Sequence, residues 1–443
     1  MRNEANNSHA SSGDLARTPH EMIVRYREVR AATERLCAPL ATEDYVPQSM
    51  PDASPAKWHL AHTSWFFETF LVKPSRPDGL GVSPGQYAYL FNSYYNALGE
   101  RIERSKRGLL TRPTVAEVYH YRSAVDEHVM ALLEGASGES WPELAVLMEL
   151  GLNHEQQHQE LILTDLKHLL ATNPMRPAYR ESIPASEAGS GPSRWIERSG
   201  GVAEIGFDGE GFAFDNESPR HKVYVQPHGL ASRVVTNGEY LAFIADGGYD
   251  RPEFWLSDGW AARQAKGWVA PLYWERDEEG AWQVVTLSGL GRLVECEPVC
   301  HVSFYEADAF ARWSGARLPS EAEWELAAEG VPILGNFLES EQFHPRPLPP
   351  GARSDGSTPL QLFGDVWEWT RSPYSPYPGY KPVAGALGEY HGNFMCNQMV
   401  LRGGSCATPR SHVRPTYRNF FPPDVRWQFS GIRLAQDATS PES

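Results

Sequence analysis

The sequence predicts an α+β protein of two domains, a helical bundle followed by a mixed α/β domain rich in loops. Long helical patterns fill the first half of the chain, whereas short strands, Gly-rich turns and scattered Trp fill the second. A stretch rich in Pro, Ser and Gly at 173–194 is typical of a linker between them. We therefore expect a bundle over 19–172, a second domain over 195–437, a disordered start over 1–18 and a tail over 438–443.

Four segments of the first half carry apolar residues at helical spacing: 19–38, 55–72, 114–135 and 141–171. The second segment begins with Pro55 after Ser54, an N-cap residue followed by Pro in the first turn. Four amphipathic helices predict an antiparallel bundle, and metal sites in bundles commonly lie between the helices. In the second domain, YEADAFARWSGA and SEAEWELAAEG predict two short helices.

Composition and charge exclude several classes of function. The 40 Lys and Arg against 56 Asp and Glu give a formal net charge of −16, which repels a polyanion such as DNA or RNA. The sequence contains no apolar run of a membrane span and no apolar core of a secretory signal near its start. The 5 Cys are irregularly spaced, which fits reduced thiols better than a disulfide framework. We expect a cytoplasmic protein that binds neither nucleic acid nor membrane, and nothing in the sequence indicates a protein partner.

The strongest chemical signal is the string HEQQH in the fourth helical segment, with His154 and His158 at its ends. Side chains four residues apart lie on one helical face, so both imidazoles can bind one ion. A second His pair, His59 and His62, lies in the second segment. One imidazole from this pair would complete a site of three nitrogen ligands.

Two kinds of metal site are compatible with these histidines. HEQQH matches the zinc-protease pattern HExxH, in which Glu155 would be the general base. However, Leu161 and Thr164 stand where the extended protease motif needs Gly and His. The alternative is a non-haem iron site with open positions for oxygen and substrate. Three neutral imidazoles leave the charge of a divalent ion uncompensated, which favours binding of a thiolate and therefore oxygen chemistry over hydrolysis.

Longer motifs carry a resemblance to known proteins over nearly the whole chain. SPAKWHLAHTSWFFETF, FNSYYNALGER and LGLNHEQQHQELILTD resemble the DinB-like helical domain of sulfoxide synthases of ergothioneine biosynthesis. DNESPRHKVYV, PVCHVSFYEADAFARWSGARLPSEAEWELAA and VLRGGSCATPRSHVRPTYRNFF resemble the formylglycine-generating-enzyme (sulfatase-modifying factor) domain. Both sets in this order resemble the EgtB family of hercynylcysteine sulfoxide synthases. The resemblance implies a DinB-like four-helix bundle followed by a C-type-lectin-like mixed α/β domain.

The same resemblance implies a set of site residues. It implies His62, His154 and His158 as iron ligands, with His59 behind them or simply packed, and Gln157 in contact with the substrate imidazole. A loop of the second domain would contact the substrates, with Phe420 suited to lie against a trimethylammonium group. For the two arginines of that loop, an ion pair at the domain interface is the alternative. The candidate residues of the loop are Arg418, Asn419, Phe420, Asp424 and Arg426.

Tyr94 and Tyr95, in FNSYYNALGER, are candidates for catalysis. A phenol can supply a proton during oxygen chemistry, a role that a tyrosine has in this family, and packing is the alternative for both side chains. In actinobacterial members that tyrosine belongs to the second domain, and no equivalent is evident before LRGGS here. Arg104 and Arg107 follow the tyrosines and are candidates for binding a substrate carboxylate, with a solvated basic face as the alternative.

The resemblance also bears on whether the second domain forms formylglycine. Formylglycine-generating enzymes bind copper through two Cys after the RGGS motif, and Thr408 and Val413 occupy those positions here. We therefore expect this domain to close the iron site rather than to form formylglycine.

These expectations combine into one reaction. The resemblance implies an Fe²⁺- and O2-dependent oxidoreductase, a hercynylcysteine S-oxide synthase. It would join the sulfur of cysteine or γ-glutamylcysteine to the imidazole carbon of hercynine (Nα-trimethylhistidine) with sulfoxidation. The alternatives are an ovothiol-type synthase that uses histidine, a selenoneine-type synthase, and a DinB or HExxH zinc hydrolase. The sequence leaves the choice of thiol open.

Overall fold

The computed structural model describes residues 18–181, 191–383 and 385–438. Residues 1–17 of the predicted disordered start, residues 182–190 of the predicted linker and residues 439–443 of the predicted tail lie outside the described residues. Within the described ranges, no helix is both long enough and apolar enough to cross a membrane.

Four long helices form the first domain, as the sequence predicts. They are α1 (Pro19–Cys37), α2 (Ala56–Phe67), α5 (Val115–Glu134) and α6 (Trp141–Thr172). Two short helices, α3 (Lys73–Ser75) and α4 (Tyr87–Phe91), lie between α2 and α5. The segment predicted as one helix over 55–72 differs in its last turn, where Glu68–Val72 is π-helical. Such a local widening is most often found near functional sites.

A capping box stabilises the start of both α1 and α5. The hydroxyl of Thr18 accepts the backbone N–H of Glu21, and the Glu21 carboxylate accepts the backbone N–H of Thr18 in return. Thr114 and Glu117 repeat this reciprocal arrangement at the start of α5. Each pair satisfies two N–H groups that a helix start leaves without partners.

The described part of the second domain combines short strands with five α-helices. Its helices are α7 (Asn237–Ala245), α8 (Ser257–Lys266), α9 (Phe304–Trp313), α10 (Glu321–Ala328) and α11 (Glu389–Gly392). The helices α9 and α10 confirm the two short helices predicted from sequence. Its strands are β1 (Trp195–Arg198), β2 (Gly201–Ile205), β3 (His221–Val225), β4 (His228–Ala231), β5 (Trp274–Arg276), β6 (Trp282–Thr286), β7 (Gly289–Arg292), β8 (Trp367–Pro373), β9 (Met399–Arg402), β10 (Asn419–Phe421), β11 (Ser430–Gly431) and β12 (Ala435–Asp437).

The four-stranded sheet of the second domain has the strand order β10-β9-β8-β11. In this sheet β8, β9 and β10 pair antiparallel, with Phe420 opposite Val400, and β11 pairs parallel with β8. The other sheets have the orders β1-β4-β12, β5-β6-β7 and β2-β3. The strand β10 therefore lies at an edge of this sheet.

A buried carboxylate on α6 joins the two domains. Glu160 accepts hydrogen bonds from the indole N–H of Trp367 at 2.6 Å, the hydroxyl of Ser405 at 2.9 Å and the hydroxyl of Thr408 at 2.8 Å. All three donors belong to the second domain, and Ser405 and Thr408 belong to the RGGS region. Burial raises the pKa of Glu160, and the three donors oppose that effect. The RGGS region therefore docks against the helical bundle. In the described part of the chain, Cys37, Cys300, Cys396 and Cys406 are free thiols.

Candidate metal centre and active site

Three histidines of the first domain converge where α2 packs against α6. His62 comes from α2, and His154 and His158 come from successive turns of α6. One ligand nitrogen of each ring lies within 4.8 Å of the others, and all three side chains are buried. Nε2 of His62 lies 3.2 Å from Nε2 of His154. The structure thus brings together the three residues that the sequence proposed as ligands.

The protonation of these rings suits metal binding. Nδ1 of His62 lies 2.5 Å from the backbone oxygen of Phe91. A carbonyl oxygen only accepts, so Nδ1 carries the proton and Nε2 presents its lone pair to the other rings. Burial lowers the pKa of all three imidazoles, and that of His154 falls to about 4. At neutral pH the rings are uncharged, which is the form that binds a metal.

Aromatic rings hold this site in place. The His62 ring stacks between Trp58, at 4.6 Å and 11°, and Trp65, at 5.7 Å and 18°. Phe66 packs against His154 with a centroid distance of 4.6 Å. The histidines are therefore enclosed by apolar surface, which strengthens electrostatic interactions inside the site.

Glu155 lies away from the metal site, although it belongs to the HEQQH string. Its carboxylate accepts from Arg30 at 2.9 Å, from Arg122 at 2.5 Å and from the Thr33 hydroxyl at 2.6 Å, and it is fully buried. Burial alone would raise its pKa, but Arg122 and Arg30 outweigh burial and lower the pKa to about 2. A carboxylate held in this way is not available as the general base of a zinc hydrolase.

Two cavities lie at the contact between the domains, and one of them reaches the triad at His154. The polar cavity, of about 280 Å³, is lined by Tyr94, Arg104, Gln157, Asn419 and Phe420, among others. The aromatic cavity, of about 780 Å³, is lined by residues that include Phe66, Tyr95, His154, Phe214 and Asp215. Gln157 and His391 line both cavities and therefore stand at the wall between them.

The two candidate tyrosines lie on different sides of this wall. Tyr94 lines the polar cavity, and Nη1 of Arg104 donates to its hydroxyl at 3.3 Å. Burial raises the pKa of Tyr94, but the charges of Arg104 and Arg107 outweigh it, so that the net shift is downward. Tyr95 lines the aromatic cavity and is 4% exposed, with its ring 5.8 Å from that of Trp65. Tyr94 therefore borders the polar cavity, whereas Tyr95 borders the cavity that His154 also lines.

Arg104 and Arg107 have different surroundings. Arg104 borders the polar cavity, as a residue that binds a substrate carboxylate should. Arg107 instead is 3% exposed, lies 3.4 Å from the ring centroid of Trp58, and donates to the hydroxyls of Ser54 and Ser93. Burial lowers its pKa to about 9. Arg107 thus packs on the aromatic stack around His62, and it lines neither of the two cavities.

The second domain contributes β10 to the polar cavity. Asn419 and Phe420 line it, and the Phe420 ring stacks on Tyr374 at 4.1 Å and 7°. Nε2 of Gln157 donates to the Tyr417 hydroxyl at 3.0 Å across the domain contact. Sequence reasoning missed Tyr417, although it immediately precedes the RNFF string on which that reasoning relied.

The other three candidates of this loop are engaged in ion pairs within the second domain. Arg418 borders the polar cavity, but its guanidinium is fully buried and pairs with Glu321 at 2.9 Å through Nε and at 3.1 Å through Nη2. Arg426 pairs with Glu306 at 2.8 Å. Asp424 is exposed and pairs with Lys266 at 2.6 Å. In the structure, each of these three candidate residues is thus engaged in an ion pair within the second domain.

A buried His–carboxylate pair in the cavity wall was also missed. Nδ1 of His391 lies 2.6 Å from Oδ1 of Asp215, and the Tyr380 hydroxyl donates to the same carboxylate at 3.2 Å. Burial raises the pKa of Asp215, but the contact with His391 lowers it more. No local spacing connects these positions, which are 176 residues apart.

Comparison with known proteins assigns each half of the chain. Residues 25–162 match the model of the DinB superfamily, and residues 187–347 and 359–438 match that of the sulfatase-modifying factor enzyme 1-like domain. The chain is 34% identical to a hercynine oxygenase of Mycolicibacterium smegmatis over 88% of this chain and 92% of the relative. It is 33% identical to a hercynine oxygenase of Mycobacterium tuberculosis over 95% of this chain and 99% of the relative. Ergothioneine biosynthesis protein 1 of Schizosaccharomyces pombe is 28% identical over 51% of this chain and 28% of that protein.

Proposed function

The chain belongs to the hercynine oxygenase family, and on that premise we propose that it is a non-haem, Fe²⁺- and O2-dependent sulfoxide synthase of ergothioneine biosynthesis. Its substrates would be hercynine and either cysteine or γ-glutamylcysteine. It would act in the cytoplasm. The observation that carries the proposal is the buried triad His62, His154 and His158, whose ligand nitrogens lie within 4.8 Å of one another, next to a cavity that His154 lines. The same three residues are the ligands that the family resemblance implies.

The overall reaction balances without a further reductant. Hercynine loses one imidazole hydrogen, the thiol loses its sulfur hydrogen, and O2 supplies one oxygen to the sulfoxide and one to water. The four electrons that O2 accepts come from forming the carbon–sulfur bond and from oxidising the sulfur. Iron, when bound by the triad, would supply the redox chemistry and the open coordination positions for this reaction.

The residues of the polar cavity would bind and orient the substrates. Arg104 carries a positive charge for a substrate carboxylate, and Asn419 offers an amide for hydrogen bonding from the facing strand. Phe420 presents an aromatic face, which attracts a trimethylammonium group. Gln157 is held by Tyr417 at 3.0 Å beside the histidines, where it can contact the substrate imidazole. Enclosure by both domains would exclude water from the reacting atoms.

Tyr94 would supply the proton at its phenolic oxygen. The hydrogen bond from Arg104 at 3.3 Å and the lowered pKa both favour release of that proton. Tyr95 is embedded among aromatic rings on the other side, so we assign it a packing role in the proposal.

The proposal is tested by reconstituting the purified protein with Fe²⁺ under anaerobic conditions and then adding O2, hercynine and each thiol in turn. Mass spectrometry should detect the sulfoxide conjugate, and the ratio of kcat/KM for cysteine and γ-glutamylcysteine should identify the thiol. His62→Ala should abolish the product, whereas His168→Gln, a matched change outside the triad, should leave it. A wild-type protein that yields neither thioether nor sulfoxide of hercynine would disprove the assignment. Product from histidine in place of hercynine would indicate an ovothiol-type synthase.

A further inference from the structure

We propose that His59 and Asp165 form a hydrogen-bonded relay that orients the ligand His158 and places a negative charge behind it. The inference rests on the metal centre of the proposed function. It assigns positioning roles to two residues that the proposed reaction does not use. The sequence left open whether His59 only packs against the ligands.

The relay is a continuous line of contacts behind the triad. His59 lies one turn before His62 on α2, and its Nδ1 lies 2.8 Å from Nδ1 of His158. Its other ring nitrogen, Nε2, lies 3.1 Å from Oδ2 of Asp165. Asp165 lies two turns after His158 on α6, so both side chains face α2. The side chains of His59, His158 and Asp165 are all buried.

The hydrogen-bond chemistry fixes which atom carries each proton. The Asp165 carboxylate only accepts, so Nε2 of His59 carries a proton and donates it. For His158 to bind a metal through Nε2, its Nδ1 must carry the ring proton, and Nδ1 of His59 then accepts it over 2.8 Å. The proton of each contact therefore lies on the side that leaves Nε2 of His158 open to a metal.

The carboxylate at the end of the relay is itself held in position. The backbone N–H of Ser54 donates to Oδ2 of Asp165 at 2.8 Å, just before α2 begins. Both ends of the relay are therefore tied to the helices that supply the ligands. A carboxylate behind a metal-binding imidazole makes that imidazole a stronger ligand and fixes its orientation.

The three proposed ligands differ in the hydrogen-bond partner of the ring nitrogen that does not face the metal site. His62 is oriented by the backbone carbonyl of Phe91, and Nδ1 of His154 has no hydrogen-bond partner within the described part of the chain. Of the three, His158 is the one connected through hydrogen bonds to a negative charge among the residues that the structure describes. Because the triad itself contains no carboxylate, Asp165 supplies a hydrogen-bonded counter-charge for a bound cation.

The test compares His59→Phe, which keeps an aromatic ring but breaks both hydrogen bonds, with Asp165→Asn, which keeps an acceptor but removes the charge. His168→Gln is the matched control, since His168 is on α6 and bonds to the Ser49 hydroxyl rather than to the triad. Two quantities are measured on the full chain: the anaerobic dissociation constant for Fe²⁺ and the visible absorption spectrum of the Co²⁺-substituted protein. Neither requires turnover.

We expect His59→Phe to weaken Fe²⁺ binding by about 10- to 100-fold and to shift the Co²⁺ bands. Asp165→Asn should cause a smaller loss, and the control should match the wild type. A folded His59→Phe variant with wild-type affinity and spectrum would overturn the relay alone. If that variant does not fold, Asp165→Asn decides, and wild-type values for it would overturn the relay. A wild-type protein that binds neither ion would overturn the proposed function and the relay together.

Discussion

A substitution of Glu155 distinguishes the two interpretations of HEQQH, a zinc hydrolase with Glu155 as general base and a non-haem iron site. Replacing Glu155 by Gln removes the negative charge between Arg30 and Arg122 and leaves both guanidinium groups buried without it. Its pKa falls from 4.5 to about 2 on folding, which corresponds to about 3 kcal/mol of stability at neutral pH. Removing one partner of a buried ion pair generally costs about 3–5 kcal/mol. We therefore expect Glu155→Gln to lower the free energy of unfolding by about 3 kcal/mol.

The pH dependence of this contribution has a definite sign. The unfolded chain binds a proton at Glu155 below pH 4.5, whereas the folded protein does so only near pH 2. The contribution is therefore complete above pH 4.5 and is lost as the pH falls toward 2. The free energy of unfolding of the Glu155→Gln variant should not show this decrease as the pH falls toward 2.

The assay is urea unfolding at pH 7, followed by circular dichroism of the helices. The matched control is Glu127→Gln, an exposed carboxylate on α5, which should change stability by no more than about 0.5 kcal/mol. A Glu155→Gln variant that unfolds at the wild-type urea concentration but loses turnover would refute the reasoning. That result would give Glu155 the part of a general base.

Three further predictions, which use five substitutions, test the site and the domain contact. Tyr94→Phe should slow product formation by about 100-fold, whereas Tyr95→Phe should not slow it. Unchanged rates and product ratios in both variants would show that neither Tyr94 nor Tyr95 takes part in the reaction. Arg418→Ala should lower the free energy of unfolding by about 3–5 kcal/mol without raising KM, whereas Asn419→Ala should raise KM; the reverse pattern would place Arg418 at the substrate. Burial lowers the pKa of Lys167 from 10.5 to about 8, so wild-type stability should rise between pH 8 and 10 as the folded protein loses this proton first. Lys167→Met should be more stable than the wild type at pH 7, and its stability should not rise between pH 8 and 10. Identical unfolding midpoints of the wild type and the variant at pH 7 and at pH 9.5 would contradict this prediction.

The helical half of the fold was predictable because its signals are local. In α1 the apolar residues Met22, Tyr26 and Val29 recur at helical spacing, and all three are buried against the bundle. The second half offers no comparable signal. Its strands are two to seven residues long, and β11 pairs with β8 although the whole of β9 and β10 lies between them in the sequence. Such pairings depend on long-range packing rather than on residue spacing.

The same distinction applies to the site. Two of the three histidines were recognisable because His154 and His158 are neighbours on one helix face, and the family motif supplied His62. The charged residues of the loop were harder, because a sequence does not show which charges are already paired. The partner of Arg418 is Glu321, 97 residues away in the chain. Only the folded structure shows that the charge of this guanidinium is already compensated before a substrate carboxylate arrives.

The distribution of the site over two domains has an evolutionary consequence. Every histidine of the triad belongs to the helical domain, whereas Asn419 and Phe420 belong to an edge strand of the other. Mutations in that strand can therefore accumulate without touching the metal ligands. On the proposed function, such mutations would change the substrate contacts of the second domain, while the helical domain would keep the triad together with Arg104 and Gln157.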